Sequence, residues 1–226
     1  MNEDRTAKFL IVGAGGIGRA LAARLQTGGD VIVWSRATGV DVTVESDLLA
    51  AALRLPESLA AAYVTTGMLH DDMQRPERSM RELDGAKLAR SLLINAIAPA
   101  LVAKHVLPRL PRDQRAVFAV LGARVGSIGD NRTGGWHGYR ASKAALVMLV
   151  KTLSIELRRT HPQAICVAMH PGTVDTAMSK PFQGNVAPEK LFTPDFSAER
   201  LIAVADALTV ADSGGHFAWD GARIAD

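Results

Sequence analysis

Phe9-Leu-Ile-Val12, followed at once by Gly13-Ala-Gly15-Gly16-Ile17-Gly18, is the stretch on which the reading of this chain turns. Four apolar residues make a buried strand, and a helical pattern over residues 16–27 opens directly behind them. Glycines at such a junction let the backbone turn tightly and approach a pyrophosphate. The charge of that group is met by amide N–H groups and the helix N-terminus. Gly13, Gly15, Gly16, Ile17 and Gly18 are therefore candidate nucleotide-binding residues.

Outward from this unit the same alternation repeats. Strands are predicted at residues 31–34, 62–65, 116–121, 165–169 and 216–219, and helices at 46–55, 85–110, 138–159 and 198–208. Strands alternating with helices make a parallel sheet with helices on both faces. The expectation is an α/β, Rossmann-type, doubly wound sheet of about seven strands. The segment 173–196 breaks the rhythm and holds Pro181, Pro188 and Pro194. It reads as a lid or substrate loop, or else as an inert excursion.

The chain has 226 residues, enough for one sizeable core and too few for two ordinary domains, so residues 1–226 are expected to form a single nucleotide-binding domain. A net charge of +3 with scattered basic residues argues against a nucleic-acid partner. The start, Met1-Asn-Glu-Asp-Arg-Thr6, is polar, and no run of about 18 apolar residues occurs, so a cytoplasmic protein without a membrane partner is expected. Cys166 lies in an apolar run and reads as a small buried hydrophobe. The six histidines include no pair at metal-ligand spacing on one helix, so no metal site is expected. His137 could line a pocket or sit on a surface loop.

The chemistry is concentrated further along. Tyr139-Arg-Ala-Ser-Lys143 puts a phenol and an ammonium one helical turn apart on one face. A nearby positive charge favours phenolate, so Tyr139 is expected to have a lowered pKa suited to general acid/base work. Ser127, in the loop after the strand 116–121, would stand at the carboxyl edge of the sheet, where open α/β folds bind ligands, and could hold a substrate oxygen. Ser142, with no elbow motif around it, reads as support for the cofactor site. Pro99 stands four residues after Asn95, so the Asn95 carbonyl loses its helical donor. That describes either a water-holding carbonyl or a kinked helix with a satisfied core asparagine.

The second strand ends at Ser35-Arg36, where an acid would bind the ribose hydroxyls of NAD. No acid stands there. Ser35 and Arg36 can meet a 2′-phosphate, which points to NADP(H) in preference to NAD(H); the alternative is a solvated loop arginine.

A nucleotide fingerprint, Ser127, Tyr139 and Lys143 in this order resemble the short-chain dehydrogenase/reductase family over essentially the whole chain. Ala123-Arg-Val-Gly-Ser127, Asn131-Arg-Thr-Gly-Gly-Trp136, Asp212-Ser-Gly-Gly215 and Trp219-Asp-Gly221 resemble its C-factor-like branch. The resemblance implies that Tyr139 protonates a carbonyl as NADPH delivers hydride, that Lys143 binds the nicotinamide ribose and tunes Tyr139, that Ser127 orients the substrate, and that Asn95 completes a proton relay. It further implies cofactor contacts at Asp41 and Val42, at Thr66 and Gly67, and at Pro171, Gly172, Val174 and Thr176. The glycine loop is one residue shorter than the family's usual form, and Thr65-Thr66-Gly67 replaces the usual Asn-Asn-Ala-Gly. Met178, Phe182 and Leu191 could wall a substrate pocket or pack the lid onto the body.

The leading functional expectation is an NADP(H)-dependent carbonyl reductase or alcohol dehydrogenase acting on a small or medium uncharged carbonyl compound, working as a homodimer or homotetramer. A signalling or regulatory protein that binds NADP(H) with incidental turnover is the second reading. A nucleotide-sugar epimerase is a third, for which the length leaves little room.

Overall fold

Strand Ala116–Leu121 shows how the layers arise: Ala116, Phe118 and Val120 face one side of a sheet and Val117, Ala119 and Leu121 the other, and all six are buried. A strand with both faces apolar needs helices on both faces. A computed structural model, described here over residues 6–225, has that arrangement; the polar start at residues 1–5 lies outside the described residues.

The strands of the main sheet are β1 (Ala7–Val12), β2 (Gly29–Trp34), β3 (Ala61–Val64), β4 (Ala116–Leu121) and β5 (Ala164–His170), followed, after two short strands β6 (Thr173–Val174) and β7 (Leu191–Phe192), by β8 (His216–Ala218). Their order is β2-β1-β3-β4-β5-β8, and every pairing in it is parallel. The chain moves outward from β1 to β2 and then crosses back to β3, so the point of reversal lies between β1 and β3. Ligand crevices of doubly wound sheets open there.

The expectation of about seven strands is corrected to six in this sheet. Residues 35–44 run from β2 directly into helix α2 (Glu45–Ala52), which leaves no room for a further strand-and-helix unit outside β2. The strands β6 and β7 form a separate two-stranded sheet.

Helices α1 (Gly16–Leu25) and α6 (Pro194–Ala207) cover one face, burying Leu21, Leu25, Leu201 and Val204 against Ile11, Val117 and Ile165. On the other face, α2, α4 (Ala98–Val106) and α5 (His137–Leu157) bury Leu48, Val102, Leu146 and Val150 against Leu10, Phe118 and Cys166. Each such fully buried Leu or Val contributes roughly 1.5–3 kcal/mol. The single helix expected over 85–110 is divided into α3 (Gly85–Leu92), a π turn (Leu93–Ile97) and α4. Pro99, which has no N–H, stands at the start of α4, and the Ala98 N–H reaches back five residues to the Leu93 carbonyl. Gly85–Arg109, taken together, is long and apolar enough to cross a membrane, with a mean hydropathy of 1.4, but half of that window is buried inside the fold.

The segment expected as a lid over 173–196 is not a structureless loop. It holds β6, two 3₁₀ turns (Lys180–Asn185 and Pro188–Lys190) and β7, and it ends earlier than expected because α6 begins at Pro194. Thr193 caps that helix by accepting from the Phe196 N–H at 3.1 Å, with Pro194 in the first turn.

Candidate active site

The glycine loop closes on the end of β3. Gly13 has φ +109°, and its N–H donates to the Trp34 carbonyl at 2.8 Å. A side chain on Gly18 would put Cβ 2.1 Å from the Gly13 carbonyl oxygen, so the loop folds over α1 only with glycine there. Thr65 Oγ1 donates to the Val12 carbonyl at 3.0 Å and so ties β3 to the glycine turn. Gly15, the N-cap of α1, has no side chain to offer, no acid stands in the first turn, and nothing lies within 4 Å of where its Cβ would be. The first amides of α1 thus have no side-chain cap, and the space in front of Gly15 is open.

Beside them, Thr66 Oγ1 is buried without a hydrogen-bond partner. Gly67 is equally confined: a Cβ there would lie 3.3 Å from Asn95 Oδ1 and 3.5 Å from Lys143 Nζ. A cradle of open helix amides, an orphaned hydroxyl and glycines too crowded for side chains fits a dinucleotide's pyrophosphate and nicotinamide ribose. Ile17 is half-buried in the first turn of α1 and packs against the core beneath the cradle.

At the far end of that cradle, Arg36 is exposed in a 3₁₀ turn (Arg36–Thr38) directly after β2. Ser35 caps the turn: Thr38 N–H donates to Ser35 Oγ at 3.3 Å and Ser35 N–H donates to Thr38 Oγ1 at 2.9 Å. Asp41 accepts from the Thr43 hydroxyl at 2.7 Å and the Thr43 N–H at 2.9 Å, which holds its carboxyl below the usual range, with Arg36 adding to the effect. Val42 packs onto the core at the entry to α2. The Asp41 carboxylate is thus committed to its own turn.

The catalytic candidates meet over the carboxyl ends of β3, β4 and β5. Lys143 is 3 % exposed, and its Nζ donates to the Leu121 carbonyl at the end of β4 at 2.7 Å. Among the described residues no carboxylate pairs with it. Burial pushes the ammonium down to about 8. Its Nζ stands 5.9 Å from the centre of the Tyr139 ring. Burial pushes the Tyr139 phenol up to about 12, which corrects the expectation of a lowered value. Desolvation of the phenolate outweighs the ammonium at this separation.

Ser127, 2 % exposed, accepts from the Asp130 N–H at 3.1 Å. Its loop lies directly on α5, since a Cβ on Gly126 would stand 2.8 Å from the Lys143 backbone carbon. Asn95 is fully buried in the π turn; its Oδ1 accepts from the Met68 N–H at 2.7 Å, and its Nδ2 donates to the Met68 carbonyl at 2.8 Å and to Ser142 Oγ at 3.1 Å. Ser142 in turn donates to the Tyr139 carbonyl at 2.9 Å. The Asn95 side chain is therefore a satisfied core amide that links β3's exit loop to the helix carrying Tyr139.

Pro171 and Gly172 turn the chain out of β5, with Gly172 at φ +81°. A Cβ on Gly172 would stand 2.6 Å from the Phe192 ring, which meets Trp219 edge-to-face at 4.6 Å. Val174 is buried in β6, and the Thr176 methyl lies 2.9 Å from where a Gly16 Cβ would be, so the 171–176 turn reaches the glycine loop.

Over the site sits a set of rings that joins the 178–192 segment to the body. Phe182 meets Trp136 at 5.2 Å and His70 at 5.4 Å, Trp136 meets Tyr139 at 6.3 Å, and His70 Nε2 is 3.0 Å from the Met178 carbonyl oxygen. Phe182 thus packs the segment onto the body beside Tyr139, while Leu191 is taken up in β7 against β6. Cys166 is fully buried and its thiol is pushed up to about 12 by desolvation, so it is inert packing.

Two residues carry roles that their place in the sequence does not signal. Glu77, 5 % exposed, accepts from Trp136 N–H through its backbone carbonyl at 2.6 Å and from Gly138 N–H through Oε2 at 3.1 Å, which anchors the start of α5. Arg140, adjacent to Tyr139, binds the loop that carries Ser127. Nothing in the spacing of Glu77 marks it, because it lies far from α5 in the chain.

Comparison with known proteins agrees with this architecture. The short chain dehydrogenase family model matches residues 46–186. The C-signal protein of Myxococcus xanthus is 34% identical over 147 residues, covering 65% of this chain and 82% of that protein. The 1-hydroxy-2-glutathionyl-2-methyl-3-butene dehydrogenase of a Rhodococcus species (strain AD45) is 33% identical over 179 residues, covering 78% of this chain and 74% of that protein. Among solved structures, an NADPH-bound carbonyl reductase from chicken fatty liver superposes with a TM-score of 0.81 at 24% identity, covering 100% of this chain and 96% of that one. A short-chain dehydrogenase/reductase from Burkholderia multivorans with bound NADP gives 0.80 at 23% identity, covering 98% and 100%. The fold, the glycine turn at the reversal of strand order and the Ser-Tyr-Lys set over the carboxyl edge of one parallel sheet thus agree with a family match over more than half of the sequence: the chain belongs to the short-chain dehydrogenase/reductase family, in its C-factor-like branch.

Proposed function

We propose that the protein is an NADP(H)-dependent oxidoreductase that interconverts a small uncharged carbonyl compound and its alcohol, with Tyr139 as the general acid/base. The observation that carries this reading is the buried Lys143 ammonium, bonded to the Leu121 carbonyl at 2.7 Å and standing beside both Gly67 and the Tyr139 ring. A desolvated lysine without an acid partner is costly and is kept where its charge serves chemistry. The cofactors named for the chicken and Burkholderia structures, NADPH and NADP, support the same choice of dinucleotide.

The nicotinamide ring, when bound, supplies or takes up the hydride. Tyr139, with its phenol pushed up to about 12, is protonated at neutral pH and holds the proton that a carbonyl oxygen must gain. This is the resting state that reduction requires. Lys143 places positive charge where phenolate would form and offers N–H groups to ribose hydroxyls. Ser127 Oγ, which accepts from the Asp130 N–H, keeps its own proton to donate to the substrate oxygen. Asn95 holds the Met68 backbone and Ser142, and so keeps β3's exit loop and α5 at a constant separation. The Arg36 guanidinium, exposed after β2, is the group that would meet a 2′-phosphate.

The experiment is a titration of the purified protein with NADPH and NADH, followed by cofactor oxidation against aldehydes, ketones and quinones. Turnover with preference for NADPH is expected. Tight NADPH binding with no turnover on any of them would instead favour the regulatory reading that similarity to the C-signal protein suggests.

A further inference from the structure

Arg140 has no place in the chemistry above, yet its guanidinium is among the most fully engaged in the protein. Nε donates to the Gly134 and Gly135 carbonyls at 3.2 and 3.0 Å, Nη1 to the Val125 carbonyl at 3.2 Å, and Nη2 to Thr133 Oγ1 at 2.9 Å. Val125 lies in the 3₁₀ turn immediately before Ser127, and residues 133–135 lie immediately before Trp136. One side chain on α5 therefore grips the active-site loop at both flanks.

The grip falls on left-handed backbone that leads into a strained residue. Gly134, Gly135 and Trp136 are left-handed in succession, with φ of +63°, +66° and +51°, and Trp136 is the one non-glycine residue with positive φ among the described residues. A left-handed tryptophan persists only where its surroundings over-determine it, and such strain gathers at functional sites. Here the surroundings are the Arg140 fork on the preceding carbonyls and the Glu77 carbonyl on the Trp136 N–H. The path of this loop sets where Ser127 and the Trp136 ring stand relative to Tyr139, the residue next to Arg140.

We propose that Arg140 is a positioning residue that holds Ser127 and Trp136 in register with Tyr139. The proposal rests on the reductase reading. A planar fork is needed, because acceptors on two separate stretches of chain are met at once; a lysine keeps the charge and reaches one of them.

The test compares wild type, Arg140→Ala, Arg140→Lys, Thr133→Val and Tyr139→Phe. Each is measured for NADPH affinity by fluorescence titration and for kcat and KM with benzaldehyde, cyclohexanone and benzoquinone. Arg140→Ala is expected to bind NADPH as wild type does, to lose about tenfold or more in kcat, and to regain part of it on addition of guanidinium ion. Arg140→Lys should remain impaired, and Thr133→Val, which removes one acceptor, should show a smaller loss. Wild-type kcat in Arg140→Ala beside an inactive Tyr139→Phe would overturn the role of Arg140 and leave the reductase reading standing. Loss of NADPH binding together with turnover in both Arg140 variants would overturn it as well, marking a residue needed for the fold. Full turnover in Tyr139→Phe, or none in wild type with any of the three compounds, would overturn the reductase reading and this proposal with it.

Discussion

Asn95 and Met68 exchange a reciprocal pair of hydrogen bonds, Met68 N–H to Asn95 Oδ1 at 2.7 Å and Asn95 Nδ2 to the Met68 carbonyl at 2.8 Å. A side-chain amide here takes the place of a neighbouring strand for the backbone just beyond β3, while its remaining N–H reaches Ser142 on α5. The π turn between α3 and α4 is what carries Asn95 to this position.

Replacing Asn95 with alanine strands both Met68 backbone groups in a buried setting. We expect a loss of about 2–4 kcal/mol in unfolding free energy, read as a lower urea midpoint at unchanged slope. A variant as stable as wild type would contradict the clamp.

Tyr139→Phe removes the transferable proton and nothing that contacts the glycine loop. Turnover should disappear while NADPH affinity stays close to that of wild type. Steady-state assays and a binding titration on the same sample check it, and retained turnover would refute the assigned acid.

Arg36 is exposed and its neighbour Ser35 is occupied as a cap, so the guanidinium is the group free to recognise a 2′-phosphate. Arg36→Asp should reverse the preference from NADPH towards NADH, measured as the ratio of kcat/KM for the two cofactors. An unchanged ratio would exclude that contact.

Burial lowers Lys143 from its ordinary 10.5 to about 8, so between these values the unfolded chain binds more protons at this site than the native one. The contribution of Lys143 to stability therefore rises with pH from about 8 to 10.5 and is least favourable below that window. Lys143→Met lacks this dependence. Its stability relative to wild type should be highest near neutral pH and should decline as pH rises through the window, as read by denaturant midpoints in a pH series. A difference independent of pH would contradict the desolvated ammonium.

Much of the site was legible in the order of the residues. The Phe9–Val12 run with its glycines marks a strand, a tight turn and a helix by local rules, and Tyr139 and Lys143 share a face by helical spacing alone. The proline at 99 signalled a disturbed helix near Asn95, although the π turn that results depends on how the two halves pack. The strand-like runs read from the sequence number six, as in the main sheet, and the seventh came from the general expectation for a doubly wound sheet, whereas residues 35–44 lead from β2 straight into α2.

By itself the sequence determined the alternation of strands and helices, the glycine turn and the shared helix face of Tyr139 and Lys143, since periodicity and conformational preference act over a few neighbouring residues. Only the tertiary structure decided that Lys143 meets the Leu121 carbonyl, that Arg140 grips the loop at Val125 and Gly134, that Asn95 braces Met68, and that the Tyr139 phenol is raised. The physical reason is common to all four. The first three partners are backbone groups, which every residue but proline carries in full and no letter of the sequence distinguishes, and the fourth effect is burial, which exists only once the chain has closed around the site.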